Sequence, residues 1–208
     1  MVHYAIKEST FNEVFDSQKN FRVLMDGMSR PGKVFKLHEH DFDKFPAGFN
    51  PWVLVVLKTL GDNNVTYSLV GNGNEEWKKY IEINTGMTSE EAVHADYAIL
   101  DGKTFTDCFS SIHPGSLEFP EDSSTAVITV DLIAENLLNK DYKELAILYM
   151  SGPGIKDVNS VGIAGLDKKY VTSILQMNEN FPVGIDAIFV DRIGHITCMS
   201  RTTKAEVK

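Results

Sequence analysis

Ile185-Asp186-Ala187-Ile188-Phe189-Val190-Asp191-Arg192-Ile193-Gly194-His195-Ile196-Thr197-Cys198-Met199 is the stretch that decides the fold class. Two apolar, β-branched runs, 185–190 and 195–199, flank a short turn closed by Gly194, which is the pattern of a β-hairpin. Upstream, strand and helix patterns alternate. Asn50-Pro51 places a capping residue before a proline at the first helical position, so a helix runs from there to Leu60. Its β-branched Val53, Val55 and Val56 leave a strand as the alternative. Phe21, Leu24, Met25 and Met28 share one helical face within Asp16 to Met28, with Asp16 or Ser17 as the cap and Gly27 and Pro31-Gly32 as the stop. Further helices are expected over 75–83 and 168–179. Strands are expected over 33–38, 65–70, 97–100, 125–132 and 145–150. Alternation followed by a locally paired hairpin predicts an α/β chain with a mixed sheet flanked by helices, in one domain over residues 1–208.

Composition narrows the function. With 208 residues, 43% of them hydrophobic, the chain is long enough to build a core without disulfides or a structural metal. Twenty basic against 29 acidic residues give a net charge of −9, which argues against a nucleic-acid-coating surface. A small anionic ligand is not excluded by this charge, because a local basic pocket can sit in an acidic protein. The longest apolar run, Trp52 to Leu57, is far short of the roughly 20 residues of a membrane span. The N-terminus has no apolar signal-peptide region, and Cys108 and Cys198 fit no paired motif. The expectation is a cytoplasmic protein with reduced thiols, a single disulfide being the lesser alternative.

Few residues suggest chemistry. Ser151-Gly152-Pro153-Gly154 follows a strand pattern and could aim backbone N–H groups at a phosphate, although it is neither a Walker loop nor a dinucleotide fingerprint. The plainer reading is a tight turn. Arginine is scarce: only Arg22, Arg30, Arg192 and Arg201 occur. Arg201 precedes Thr202-Thr203, and a guanidinium beside two hydroxyls suits phosphate or phosphonate oxygens. The competing reading is an ion pair closing the hairpin onto the sheet. Arg22, Gly152, Gly154, Arg201, Thr202 and Thr203 are thus the candidate ligand-binding set. His38 and His40 would share one strand face and could hold a metal if His94 or Asp96 joined them, although surface histidines are the simpler reading. His113-Pro114-Gly115 reads as a turn rather than a general base. Lys156, Lys168 and Lys169 have no context suggesting Schiff-base chemistry.

Taken together, several blocks carry a resemblance. Phe21-Arg22-Val23-Leu24-Met25-Asp26-Gly27-Met28-Ser29-Arg30-Pro31-Gly32 resembles the opening motif of the H-subunit family of the bacterial carbon–phosphorus lyase system. Leu57-Lys58-Thr59-Leu60-Gly61-Asp62, Gly115-Ser116-Leu117-Glu118-Phe119-Pro120-Glu121, Ser151-Gly152-Pro153-Gly154-Ile155, Phe181-Pro182-Val183-Gly184-Ile185-Asp186 and Arg201-Thr202-Thr203-Lys204-Ala205-Glu206-Val207 resemble later blocks of that family in the same order. The chain departs from the family pattern at Ser200, where proline is usual, and at Asn84, where histidine is frequent. Loss of that proline is expected to loosen the backbone entering the motif. Asn84 cannot transfer a proton as a histidine would.

The resemblance implies one component of a multi-protein assembly with partner subunits G, I and J. That assembly makes a ribose 1-phosphonate 5-triphosphate from a purine nucleoside triphosphate and an alkylphosphonate. It further implies a homodimer in isolation and a fold like that of pyridoxal-phosphate-dependent transferases, without the cofactor. No cofactor, metal, nucleic acid or membrane is expected as a partner, and no catalytic residue follows from the resemblance. A scaffolding or accessory role predicts an exposed apolar patch of roughly several hundred Å². The alternative is a standalone metal-assisted phosphohydrolase using His38 and His40.

Overall fold

A computed structural model describes residues 11–38, 40–42, 44–71, 73–135 and 145–208. The 185–199 hairpin forms as expected, with β9 (Asp186–Val190) antiparallel to β10 (His195–Met199) and Ile196 opposite Val190. Around it runs a seven-stranded sheet. β10 is followed on one side by β1 (Phe35–Lys36). β9 continues on the other side into β5 (Thr125–Thr129), β4 (Tyr97–Asp101), β2 (Thr66–Leu69) and β3 (Thr88–Ser89). The strands from β9 to β3 are parallel, and β10 alone runs against them, antiparallel to both β9 and β1, so the sheet is mixed.

Side-chain alternation along these strands builds a core on each face. Ile99, Val127, Ile188 and Val190 point towards α1 (Phe15–Ser29), α2 (Pro51–Leu60) and α3 (Glu75–Thr85). Ala98, Leu100, Ala126, Ile128, Ala187 and Phe189 point the other way. A second sheet covers that face, which corrects the expectation of one sheet flanked by helices. This sheet is antiparallel: β11 (Lys204–Val207), β7 (Leu145–Ser151), β8 (Asn159–Ala164) and β6 (Leu132–Ala134), in that order, with α4 (Lys168–Met177) packed beside β11. The expected 125–132 strand is split. β5 ends at Thr129, the chain turns at Val130-Asp131, and β6 enters the second sheet.

The α1 helix corrects three further expectations. Its buried face is Asp16, Asn20, Leu24 and Gly27, while Phe21 and Met25 are exposed. The polar residues face inward because they satisfy backbone there: Asn20 Oδ1 accepts from His38 N at 2.8 Å and Asp16 Oδ2 from Asn12 N at 2.8 Å. Gly27 does not end the helix. It lets α1 approach β10, since a Cβ there would sit 2.9 Å from the Cys198 Sγ. Neither Asp16 nor Ser17 caps the start: the cap position is Val14, and Asn12 in the turn before it accepts from Val14 N and Phe15 N through Oδ1. Cys198 is buried and Cys108 exposed, and both are free thiols. Burial pushes the Cys198 thiol up to about 12, with Asp186 adding to the shift.

One buried polar group among the described residues is left without a hydrogen-bond partner, Thr197 Oγ1 on β10. An unmet buried hydroxyl costs about 1–3 kcal/mol. Thr197→Val removes that hydroxyl on a strand that suits a β-branched side chain. The expected result is a gain of about 1 kcal/mol, or about 2–4 °C in the thermal midpoint of a chain this size.

Candidate functional site

Three turns meet where the candidate ligand residues lie. The turn after β7 carries Gly152 and Gly154, the last residue of α1 and the turn after it carry Ser29 to Gly32, and the turn after β10 carries Ser200 to Thr203. Gly152 has φ +131°, and a Cβ there would lie 3.0 Å from Thr202 O. At Gly154 (φ +81°) a Cβ would run into Ser29 O. Both glycines thus allow backbone to approach backbone. Asn159 Nδ2 joins the same junction by donating to Pro31 O at 2.8 Å.

The structure brings Gly152, Thr202 and Thr203 together at this corner. Thr202 is exposed and Thr203 buried. Ser200, where the family pattern has proline, is hydrogen-bonded within the turn. Its carbonyl accepts from Thr203 N at 2.8 Å, and its hydroxyl meets those of Thr203 at 2.9 Å and Thr202 at 3.2 Å.

Arg201 points elsewhere. Nη1 donates to Pro120 O at 2.9 Å and Pro182 O at 3.2 Å, and Nη2 donates to Ser123 Oγ at 2.7 Å and Asp186 Oδ2 at 3.0 Å. The Arg201 N–H adds a bond to Asp186 Oδ1 at 2.8 Å. Every Nη hydrogen is therefore committed inside the molecule. The side chains of the pair are only 20% and 25% exposed. In this arrangement the guanidinium clamps two loops and the hairpin base, which matches the ion-pair reading. Arg22 lies on the exposed face of α1, about two helical turns before Ser29.

The two histidines come close, with ring centroids 5.7 Å apart. They follow β1 rather than lying in it. Lys19 Nζ and Asp16 Oδ1 approach His38 Nε2 at 3.2 and 3.7 Å, and Asn20 Nδ2 approaches His40 Nε2 at 3.4 Å. Neither proposed third ligand joins them as a metal set. Asp96 Oδ2 accepts from Thr66 N and Thr66 Oγ1 at the start of β2. No group of three or more His, Cys, Asp or Glu suited to a metal occurs among the described residues.

Burial lowers the His40 pKa from its ordinary value, opposed chiefly by the charge of Asp16. The Asn12 N–H lowers that of Asp16, against burial and with help from His40, Lys19 and His38. Both shifts act in one direction. An imidazole harder to protonate when folded contributes stability above its ordinary value, near 6.5, that is lost as pH falls towards its lowered folded value. Asp16 contributes stability above the ordinary carboxylate value that is lost as pH falls through its own lowered value. Urea unfolding is therefore expected to show stability falling between about pH 7 and pH 5, with a shallower slope in His40→Gln.

Sequence reasoning passed over Asp191 and His195. The Asp191 carboxylate is fully buried at the hairpin turn. Oδ1 accepts from Ile193 N at 2.9 Å and His195 N at 2.8 Å, and Oδ2 accepts from Ile133 N at 3.1 Å and meets His195 Nδ1 at 3.0 Å. An Asp opening a turn four residues before a His was the available signal. Nearby, Asp131 pairs with Lys103 at 3.0 Å and Arg192 at 3.0 Å. These charges sit at the carboxyl ends of the parallel strands, where open α/β sheets bind ligands. Here the β8–α4 connection covers part of that end, with Asp167 N donating to Gly102 O at 2.7 Å.

The sequence model of the family described as "Bacterial phosphonate metabolism protein (PhnH)" matches residues 9–206. The "Putative C-P lyase subunit protein HtxG" of Stutzerimonas stutzeri is 27% identical over 194 residues, covering 92% of this chain and 86% of the relative. The "Alpha-D-ribose 1-methylphosphonate 5-triphosphate synthase subunit PhnH" of Rhizobium meliloti (strain 1021) is 26% identical over 197 residues, covering 93% of this chain and 92% of the relative.

Proposed function

The chain belongs to the PhnH family of bacterial phosphonate metabolism proteins, and from that premise we propose that it is a subunit of a carbon–phosphorus lyase assembly. In that role it supports formation of α-D-ribose 1-methylphosphonate 5-triphosphate from a purine nucleoside triphosphate and an alkylphosphonate. The observation that carries this reading is the family match across residues 9–206, with relatives named as subunits aligned over more than nine-tenths of the chain. The proposed partners are subunits G, I and J in the cytoplasm, with a homodimer in isolation.

The role is scaffolding or accessory. Arg201, the strongest sequence candidate for an anion, spends its Nη donors on Pro120, Pro182, Ser123 and Asp186. An anionic ligand would meet exposed Thr202 and the Gly152–Gly154 turn, with Arg201 positioning the backbone and Arg22 approaching only from the α1 side. The likeness to the pyridoxal-phosphate-dependent transferase fold is supported by the parallel run from β9 to β3, and one domain by the two cores that share the seven-stranded sheet.

Supplying the chain to a bacterium that lacks its own PhnH tests the reading. Growth on methylphosphonate as sole phosphorus source should return when the cognate G, I and J subunits are present. No growth, together with no co-purification of those subunits, would count against membership in the assembly.

A further inference from the structure

Two loops meet beneath the Arg201 guanidinium. The first, residues 113–123, is stiffened by Ser116 N donating to Phe119 O at 3.1 Å and Phe119 N to Ser116 Oγ at 2.9 Å. The second, residues 178–184, is tied to it by Gly184 N donating to Pro114 O at 2.7 Å. Asn178 anchors the second loop by accepting from Ile185 N at 2.7 Å and donating to Ile185 O at 3.1 Å. A single nitrogen, Arg201 Nη1, holds the Pro120 and Pro182 carbonyls of both loops.

What these fixed loops present to solvent is apolar. Leu117 is 78% exposed, Phe119 50% and Phe181 65%. Large side chains held outward on hydrogen-bonded loops form a preorganised contact surface. The rim is acidic: Glu118, Glu121, Asp122 and Glu179 are all exposed, and neither loop contains a lysine or arginine. Two copies meeting through this face would set those carboxylates against one another. The charge therefore favours a different polypeptide.

We propose that the Leu117–Phe119–Phe181 face, clamped by Arg201, is a docking surface for a partner protein of the assembly whose complementary face is apolar and flanked by lysine or arginine. The inference rests on the assembly reading above and adds the location and chemistry of the contact. Arg201 acts here as a positioning residue.

The test is co-expression of the tagged chain with subunits G, I and J, followed by affinity and size-exclusion chromatography. Leu117→Asp combined with Phe181→Asp should cut the recovered partners about tenfold or more, the scale of losing central apolar contacts. Both positions are exposed, so the thermal midpoint should stay within about 2 °C of the parent chain. Glu118→Lys with Glu121→Lys should weaken recovery and flatten its salt dependence. Phe21→Asp with Met25→Asp, on the exposed face of α1, serves as the comparison surface and should retain the partners. Undiminished recovery with the Leu117/Phe181 variant overturns the docking surface while leaving membership in the assembly intact. Failure of the parent chain itself to recover partners overturns both readings. Loss of self-association by the Leu117/Phe181 variant, in sedimentation velocity of the lone chain, would assign the face to a second copy and overturn the choice of partner.

Discussion

Arg201→Ala is expected to lower the thermal midpoint by about 5–15 °C, the equivalent of about 2–4 kcal/mol in a chain of this length. The substitution removes four side-chain hydrogen bonds at once, to Pro120 O, Pro182 O, Ser123 Oγ and Asp186 Oδ2. It also strands an Asp186 carboxylate that is only 25% exposed. Removing one partner of a half-buried pair costs more than the pair's net worth, because the remaining charge stays desolvated. Arg201→Lys should restore less than half of the loss. One ammonium cannot reproduce the fork that reaches carbonyls on two loops and a carboxylate on the hairpin. The check is differential scanning calorimetry of the three proteins, with partner recovery measured alongside. A midpoint within about 2 °C of the parent for Arg201→Ala would show that the clamp carries no weight. Such a result, combined with lost ligand binding, would return Arg201 to the anion-binding role its neighbouring threonines suggested.

The legibility of this chain follows from where each residue's partners lie. The hairpin, α2 with its Asn50 cap, and strands β2, β4 and β7 were legible because their signals are local: a turn, a cap, a β-branched run. β8 was missed because Ser160 and Gly162 dilute its strand pattern. β11 was missed because Lys204 and Glu206 face solvent and leave only two apolar positions. The second sheet was therefore invisible, and with it the reason Ala187, Phe189 and Met199 are apolar on the side away from α1. The helical period of α1 is visible in the sequence, but its buried face is not. The partners of Asn20 and Asp16 include His38 N and Asn12 N, and periodicity says nothing about which polar side chain meets a distant backbone group. Arg201 shows the same limit. Its side-chain acceptors lie from 15 to 81 residues away, so rarity and neighbours could flag it without saying what it holds.

Asp191→Ala is expected to cost about 3–5 kcal/mol, the range for breaking a fully buried charged network. Four donors converge on its carboxylate, three of them backbone N–H groups of Ile133, Ile193 and His195. Alanine leaves them without that acceptor in a place that excludes water, and each unmet buried group costs about 1–3 kcal/mol before relaxation. The effect should spread beyond the turn. Ile133 belongs to β6, so the carboxylate ties the second sheet to the tip of the β9–β10 hairpin in the first. Loss of this tie should speed hydrogen exchange at Ile133 and Ala134 as well as at Ile193 and His195. Asp191→Asn separates charge from shape. Its single carbonyl oxygen can keep one pair of N–H bonds but not both, and its amide would place donors against donors on the other side. Asparagine should therefore recover only part of the loss. His195→Ala tests the imidazole alone. It removes the partner on Oδ2 but leaves all three backbone donors in place, so it should cost about 1–2 kcal/mol and leave exchange at Ile133 nearly unchanged. Equal destabilisation by Asp191→Ala and His195→Ala, measured by urea unfolding, would place the weight on the Asp–His pair instead of the backbone network. Asp191 would then belong to a functional pair first and to the junction between sheets second.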